Sequence, residues 1–131
     1  MSAVDFEEWA VKGLEIVLGG RTYVVPPPST KASGQLIAAA VRGEIHLGLK
    51  QGPVPEPVQA VLDSIGDSHP ALGTVYQQMV DDGLHPATID RVAYYAVFYW
   101  ARGKEYADAL ASILWAPRDA GKSGGGAAPK G

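Results

Sequence analysis

The sequence predicts a mainly α-helical (α+β) protein, in which an N-terminal β-hairpin is followed by a compact bundle of about five short helices. Three observations predict this class. Two short apolar runs flank Gly19-Gly20, later segments repeat apolar residues at helical spacing, and a glycine follows most of those segments. We expect one α-rich domain over residues 1–115 of the 131-residue chain, which is an ordinary length for a single folding unit.

Two elements are expected before residue 26. Residues 3–12 place Phe6 and Trp9 at helical spacing among acidic side chains, which predicts a short amphipathic helix. A β-hairpin is predicted at about residues 14–25, because glycines in a two-residue loop adopt positive φ at little cost. That loop fixes the register of the strands. The face expected to be apolar consists of Leu14, Ile16, Tyr23 and Val25.

Five helices are expected after Pro26-Pro27-Pro28, which end the strand pairing because proline has no backbone N–H. The first is capped by Ser29 or Thr30 and is expected to end near Arg42, because Gly43 follows. The others are expected from about Pro57 to Gly66, from Asp67 or Ser68 to Gly83, from about Ala87 to Arg102, and from about Lys104 to Trp115.

Residues 116–131 are expected to form a disordered tail. They contain five Gly, four Ala and two Pro but no aromatic or β-branched side chain, so they bury too little apolar surface to offset the entropy of ordering. Residues 116–123 match a relaxed phosphate-loop pattern. A nucleotide site needs a strand before that loop and a helix after it, whereas a predicted helix precedes it here and glycines follow it.

Charge and composition exclude several classes of function. Residues 1–115 carry a net charge of −5 and residues 116–131 a net charge of +2, and an acidic body does not attract nucleic acid. The absence of cysteine excludes disulfides, thiolate nucleophiles and cysteine metal sites. No apolar run approaches the ~20 residues that span a bilayer. We therefore expect neither a nucleic-acid partner nor a membrane.

The polar residues do not suggest a catalytic set. Asp63, Asp67 and His69 lie close in sequence, but helix capping by Asp67 or Ser68 explains them better than metal binding, since they lack the spacing of helix metal sites. No Gly-x-Ser-x-Gly turn occurs, and no serine has an obvious His–Asp pair. We expect a non-enzymatic protein with no catalytic residue, no metal-binding residue and no cofactor.

Aromatic side chains are concentrated in the fourth predicted helix. One stripe of that helix comprises Ile89, Val92, Ala93, Ala96, Tyr99 and Trp100. Because the other faces are also apolar, the helix could be a central core helix. Tyrosine and tryptophan are also enriched at protein interfaces, which favours a surface for a partner. The candidate partner-binding residues are Tyr94, Tyr95, Phe98, Tyr99 and Trp100.

Several segments resemble one protein family. Residues 6–9, 16–29, 77–83 and 93–103 are similar to the tail assembly chaperones of siphophages that infect actinobacteria, and the resemblance spans about residues 3–115. It implies a small, helical, non-enzymatic protein of the host cell cytoplasm. Such a protein binds the tape measure protein and promotes assembly of the tail tube around it.

The resemblance leaves some features of the protein open. Besides the tape measure protein, the tail tube protein and a second copy of the chain are candidate partners. The Gly-rich residues 122–131 look like the end of a short form, in a family that often also makes a longer frameshifted form. The main alternative is a structural virion component, such as a head–tail connector or tail terminator subunit. A small DNA-binding regulator is a weaker alternative because of the acidic body.

Overall fold

A computed structural model describes residues 3–65 and 69–115. Within them a two-stranded antiparallel hairpin precedes five helices, which confirms the predicted fold class. The elements are one 3-10 turn (Glu7–Trp9), strands β1 (Leu14–Leu18) and β2 (Arg21–Val25), and helices α1 (Thr30–His46), α2 (Glu56–Asp63), α3 (Thr74–Asp81), α4 (Pro86–Arg102) and α5 (Lys104–Trp115). The predicted disordered tail, residues 116–131, lies outside the described residues.

The hairpin has the predicted register, with Ile16 opposite Tyr23 and Leu14 opposite Val25. Leu14, Tyr23 and Val25 are buried, so the face that was expected to be apolar packs on the helices. This packing stabilises the hairpin, because an isolated two-stranded hairpin is only marginally stable in water. A polar contact holds the hairpin to the end of α3, because the Tyr23 hydroxyl donates a 2.8 Å hydrogen bond to the carboxylate of Asp82.

Helix α1 continues past Gly43, so the prediction that it ends near Arg42 was wrong. Gly43 lies where α1 crosses α4, and a Cβ there would stand 3.1 Å from Cζ of Phe98. The glycine therefore serves a close approach between helices rather than a helix stop. The chain turns instead at Gly48, whose φ is +80°, and Leu49 donates its backbone N–H to the carbonyl of Glu44.

Helix α3 begins at Thr74, later than predicted. The caps expected at Asp67 or Ser68, and the helix stop expected at Gly66, lie outside the described residues. His69 begins a turn ahead of α3, and its Nδ1 accepts hydrogen bonds from the backbone N–H groups of Ala71 and Leu72, at 3.2 and 3.0 Å. Burial lowers the pKa of His69 and outweighs the opposite effect of Asp90. The lowered pKa favours the neutral imidazole, and only a neutral ring can accept these hydrogen bonds at Nδ1.

Residues 3–12 do not form the predicted amphipathic helix. They contain only the three-residue 3-10 turn, and every one of them is exposed. A short apolar stripe stabilises a helix only when it packs against another element, and these side chains pack locally. The rings of Phe6 and Trp9 meet edge to face, with centroids 5.2 Å apart.

Two clusters of buried side chains share α4, which makes it the central helix. The first cluster joins the hairpin to α1, α3 and α4 and includes Tyr23, Leu36, Met79 and Ala96. The second joins α1, α4 and α5 and consists of Ala40, Phe98, Ala107 and Leu110. None of the described helices is both long enough and apolar enough to cross a membrane.

Candidate partner-binding surfaces

Phe98 is buried, with 1% of its surface exposed, so its assignment to a partner-binding surface was wrong. Helix α5 follows α4 after the single residue Gly103 and packs on this face of α4. The ring of Tyr106 on α5 stacks on Phe98 with centroids 5.8 Å apart. On the other side, Gly43 opens the space in α1 into which Phe98 fits.

Three other rings of α4 are partly buried between the two clusters. The hydroxyl of Tyr95 donates to Asp108, whose carboxylate also pairs with Lys104. Burial, followed by the contact with Asp108, raises the pKa of Tyr95. The rings of Tyr99 and Trp100 meet edge to face with centroids 4.9 Å apart. These three side chains chiefly hold the helices together and keep only part of their surface at the exterior.

Tyr94 lies at the side of a groove between α1 and α4. This α1–α4 groove has a volume of about 260 Å³ and is lined by Ala39, Arg42, Gly43, His46, Tyr94 and Val97. The ring of Tyr94 also contacts Trp115 at the end of α5, with centroids 6.1 Å apart. Arg91 lies over the same indole at 5.9 Å, so Trp115 contacts both an aromatic ring and a cation of α4.

A second apolar recess, the α3–α4 cleft, was not predicted from the sequence. It has a volume of about 150 Å³ and is lined by Tyr76, Val80, Leu84, Pro86, Ile89 and Asp90. Tyr76 and Val80 on α3 are 41% and 42% exposed, whereas Val75 and Met79 on the same helix are buried. The eight-residue α3 carries four apolar side chains, which is a wide stripe for so short a helix, but the recess itself depends on where α4 packs.

The α3–α4 cleft is held in shape by the groups around it. The His69 ring stacks on Tyr76 with centroids 5.3 Å apart, and the backbone bonds to Nδ1 fix that ring in turn. Ile89 forms the buried wall. Asp90 lines the cleft, and α3 ends next to Val80 in a further carboxylate, Asp81. The cleft is thus an apolar recess with one acidic group, Asp90, in its lining.

A buried carboxylate, Glu44, joins helices α1, α4 and α5. Glu44 on α1 is 3% exposed and accepts two hydrogen bonds from Arg102, at 3.0 and 2.9 Å, and one from Tyr106, at 2.7 Å. Burial alone would raise the pKa of Glu44, but the bonds from Arg102 and Tyr106 outweigh it and lower the pKa. Every side-chain oxygen of Glu44 is thereby paired, which is the arrangement of a structural ion pair.

A wider groove, of about 410 Å³, runs between the prolines after β2 and the turn before α3. Two of its polar groups are already engaged. Ser29 accepts the backbone N–H of Ala32 as the cap of α1, and His69 caps the following turn through Nδ1. Among the described residues, no group of three or more His, Asp or Glu side chains is close enough to hold a metal ion.

A protein-family model described as a domain of unknown function (DUF7426) matches residues 4–130. The match covers nearly the whole chain, so the protein belongs to this family. Searches among curated proteins and among solved structures found no match. The family description names no activity.

Proposed function

We propose that this member of the DUF7426 family is a non-enzymatic tail assembly chaperone of a siphophage. It acts in the host cell cytoplasm by holding an apolar helical segment of the tape measure protein in the α3–α4 cleft while tail tube subunits assemble. The observation that carries the proposal is the exposed pair Tyr76 and Val80 beside a preformed apolar recess. The resemblance of four segments to such chaperones supports it.

The size of the α3–α4 cleft suits a side chain of a partner better than a small molecule. Its volume of about 150 Å³ lies below the roughly 300–1,000 Å³ of pockets for small ligands. A partner helix presents apolar anchors at intervals of three and four residues, and one such anchor fills a recess of this size. Tyr76 would then cover the anchor with its ring while its hydroxyl stays in water.

Charge defines the partner segment further. Asp90 lines the cleft and is exposed, so the recess has a negative charge in its lining. A helix with lysine or arginine flanking its apolar anchors complements this charge, and a helix flanked by carboxylates is repelled. The exposed parts of Tyr94, Tyr95, Tyr99 and Trp100 are proposed as secondary contacts.

The test compares full-length variants of the protein in capture experiments from infected cells. We expect Tyr76→Ser/Val80→Ser to retain about a tenth or less of the tape measure protein that the wild type captures, as measured by mass spectrometry, because central apolar anchors dominate binding. The control Ile37→Ser/Ile113→Ser also removes two exposed apolar side chains from helices, but outside the cleft, and is expected to capture as much as the wild type.

Two outcomes would overturn the proposal. Equal capture by both variants, with helical circular dichroism unchanged, would show that the cleft does not bind the tape measure protein. A high copy number of the protein in purified virions would identify it instead as a structural virion component, such as a connector or terminator subunit.

A further inference from the structure

We propose that the chain associates with a second copy of itself, and that residues 3–12 of one copy dock into the α1–α4 groove of the other. This inference uses neither the α3–α4 cleft nor the tape measure protein, so it stands or falls independently of the proposed function. It is carried by two surfaces of the same chain that match in shape and in charge.

The first surface is the segment 3–12, which we call the N-terminal segment. Phe6 and Trp9 are 64% and 62% exposed, and their rings stand together as one apolar unit. The segment is shaped by its own contacts, since Asp5 accepts the backbone N–H of Glu7 at 3.0 Å and Lys12 lies 3.8 Å from the Glu7 carboxylate. Two adjacent aromatic rings in water are typical of a contact that a partner completes.

The second surface is the α1–α4 groove. Ala39 and Gly43 of α1 line one side of the groove, and Val97 and the Tyr94 ring line the other. Arg42 and His46 stand one turn apart along α1 at its edge. Its volume of about 260 Å³ is below the range of small-ligand pockets, which suits an inserted aromatic side chain.

The charges of the two surfaces are complementary. The N-terminal segment carries Asp5, Glu7 and Glu8 against the single cation Lys12. Arg42 at the groove makes no ion pair with any residue in 3–65 or 69–115, and Arg91 lies nearby over the Trp115 ring. Docking would place the carboxylates beside these cations while the rings enter the groove.

A second copy is the partner that these observations favour, because every copy carries both surfaces and both are exposed at once. Two different surfaces of one chain that fit each other generate an assembly of identical copies. A reciprocal exchange closes a symmetric dimer, whereas a one-way contact continues into longer assemblies. Either product requires the same contact between the segment and the groove.

The first experiment measures the mass of the full-length protein by sedimentation velocity over a range of concentrations. We expect self-association that weakens as salt is raised, because part of the attraction is between exposed charges. Phe6→Ser/Trp9→Ser should weaken the association at least about tenfold with unchanged circular dichroism, as expected when central aromatic anchors are removed. A wild type that stays monomeric throughout would refute the proposal.

The second experiment exchanges the charges. Glu7→Lys/Glu8→Lys alone and Arg42→Glu alone should each associate at least about tenfold more weakly than the wild type, because each places like charges together. A mixture of the two variants should associate again, since the lysine-bearing segment of one meets the glutamate-bearing groove of the other.

Two control variants carry the same changes of net charge elsewhere. Glu15→Lys/Glu105→Lys matches the first variant, and Lys31→Glu matches the second; all three positions are exposed. We expect both controls to associate like the wild type and their mixture to gain nothing. Failure of the mixed variants to associate, or equal loss in the controls, would show that net charge rather than this contact governs the behaviour.

Discussion

Replacing Gly43 with alanine is expected to destabilise the protein, although alanine is the better helix former. In a helix interior the exchange favours folding by about 1 kcal/mol. At Gly43 the new Cβ would lie 3.1 Å from Cζ of Phe98 and 3.2 Å from the hydroxyl of Tyr94. Both distances are shorter than an ordinary carbon contact of about 3.5–4.0 Å, so one helix or both rings must move.

The size of the effect depends on how far the rings can yield. Tyr94 is partly exposed and can shift, but Phe98 is 1% exposed and has the Tyr106 ring stacked behind it. Extra methyl groups in packed cores cost about 1–3 kcal/mol. Because one ring cannot move, the cost at Gly43 should lie in the upper half of that range. After the gain of about 1 kcal/mol in helix propensity is subtracted, a net loss of about 1–2 kcal/mol in the free energy of unfolding remains.

Gly34→Ala provides the matched control, because Gly34 lies in the same helix and, apart from its chain neighbours and the adjacent helix backbone, no described atom comes within 4 Å of its Cβ position. That exchange should stabilise the protein by about 0.5–1 kcal/mol. Urea unfolding followed by circular dichroism measures both variants, and an unchanged slope with a shifted midpoint identifies a change in stability. If Gly43→Ala stabilises as much as Gly34→Ala, Gly43 is not required for the packing of α1 on α4.

Two further substitutions test the polar contacts. Glu44→Gln should lower the free energy of unfolding by about 3 kcal/mol at pH 7 in thermal or urea unfolding, because it leaves the Arg102 guanidinium, 28% exposed, without its charge partner. The folded-state pKa of Glu44 is lowered, so its contribution is complete above the ordinary value of 4.5 and is lost as pH falls through the lowered value. Stability of the variant should therefore decline less than that of the wild type at acid pH, and equal declines would refute this. Asp82→Asn should cost about 1 kcal/mol by weakening the bond from Tyr23 and removing the 3.3 Å ion pair with Arg21, whereas Asp81→Asn, which changes only an exposed bond from Gln77, should be nearly neutral; similar losses for both would show that the hairpin contact contributes little.

The features that the sequence predicted correctly are those that local chemistry determines. The register of the hairpin follows from two glycines with φ of +56° and +85° in a two-residue loop. The bounds of α4 and α5 follow from a proline at one end and a glycine between them. Each of these signals acts within a few residues of the element that it bounds.

The features that the sequence could not predict depend on contacts between distant residues. Gly43 resembles a helix stop until the position of Phe98 is known. Phe98 falls outside the main apolar stripe of α4, and the packing of α1 and α5 on that face explains its burial. The α3–α4 cleft likewise depends on the packing of α3 against α4, which leaves the Tyr76 side chain in the recess between the two helices.

The junction between α4 and α5 sets the rotation of the last helix. A single residue, Gly103, separates seventeen helical residues from twelve, and its φ of +102° makes the reversal. One additional residue carried into the first turn of α5 would rotate the whole helix by about 100°, given 3.6 residues per turn. Tyr106 would then point away from Glu44, and Asp108 away from Tyr95. An insertion of one residue at this junction would therefore break both contacts although all four residues that form them are unchanged.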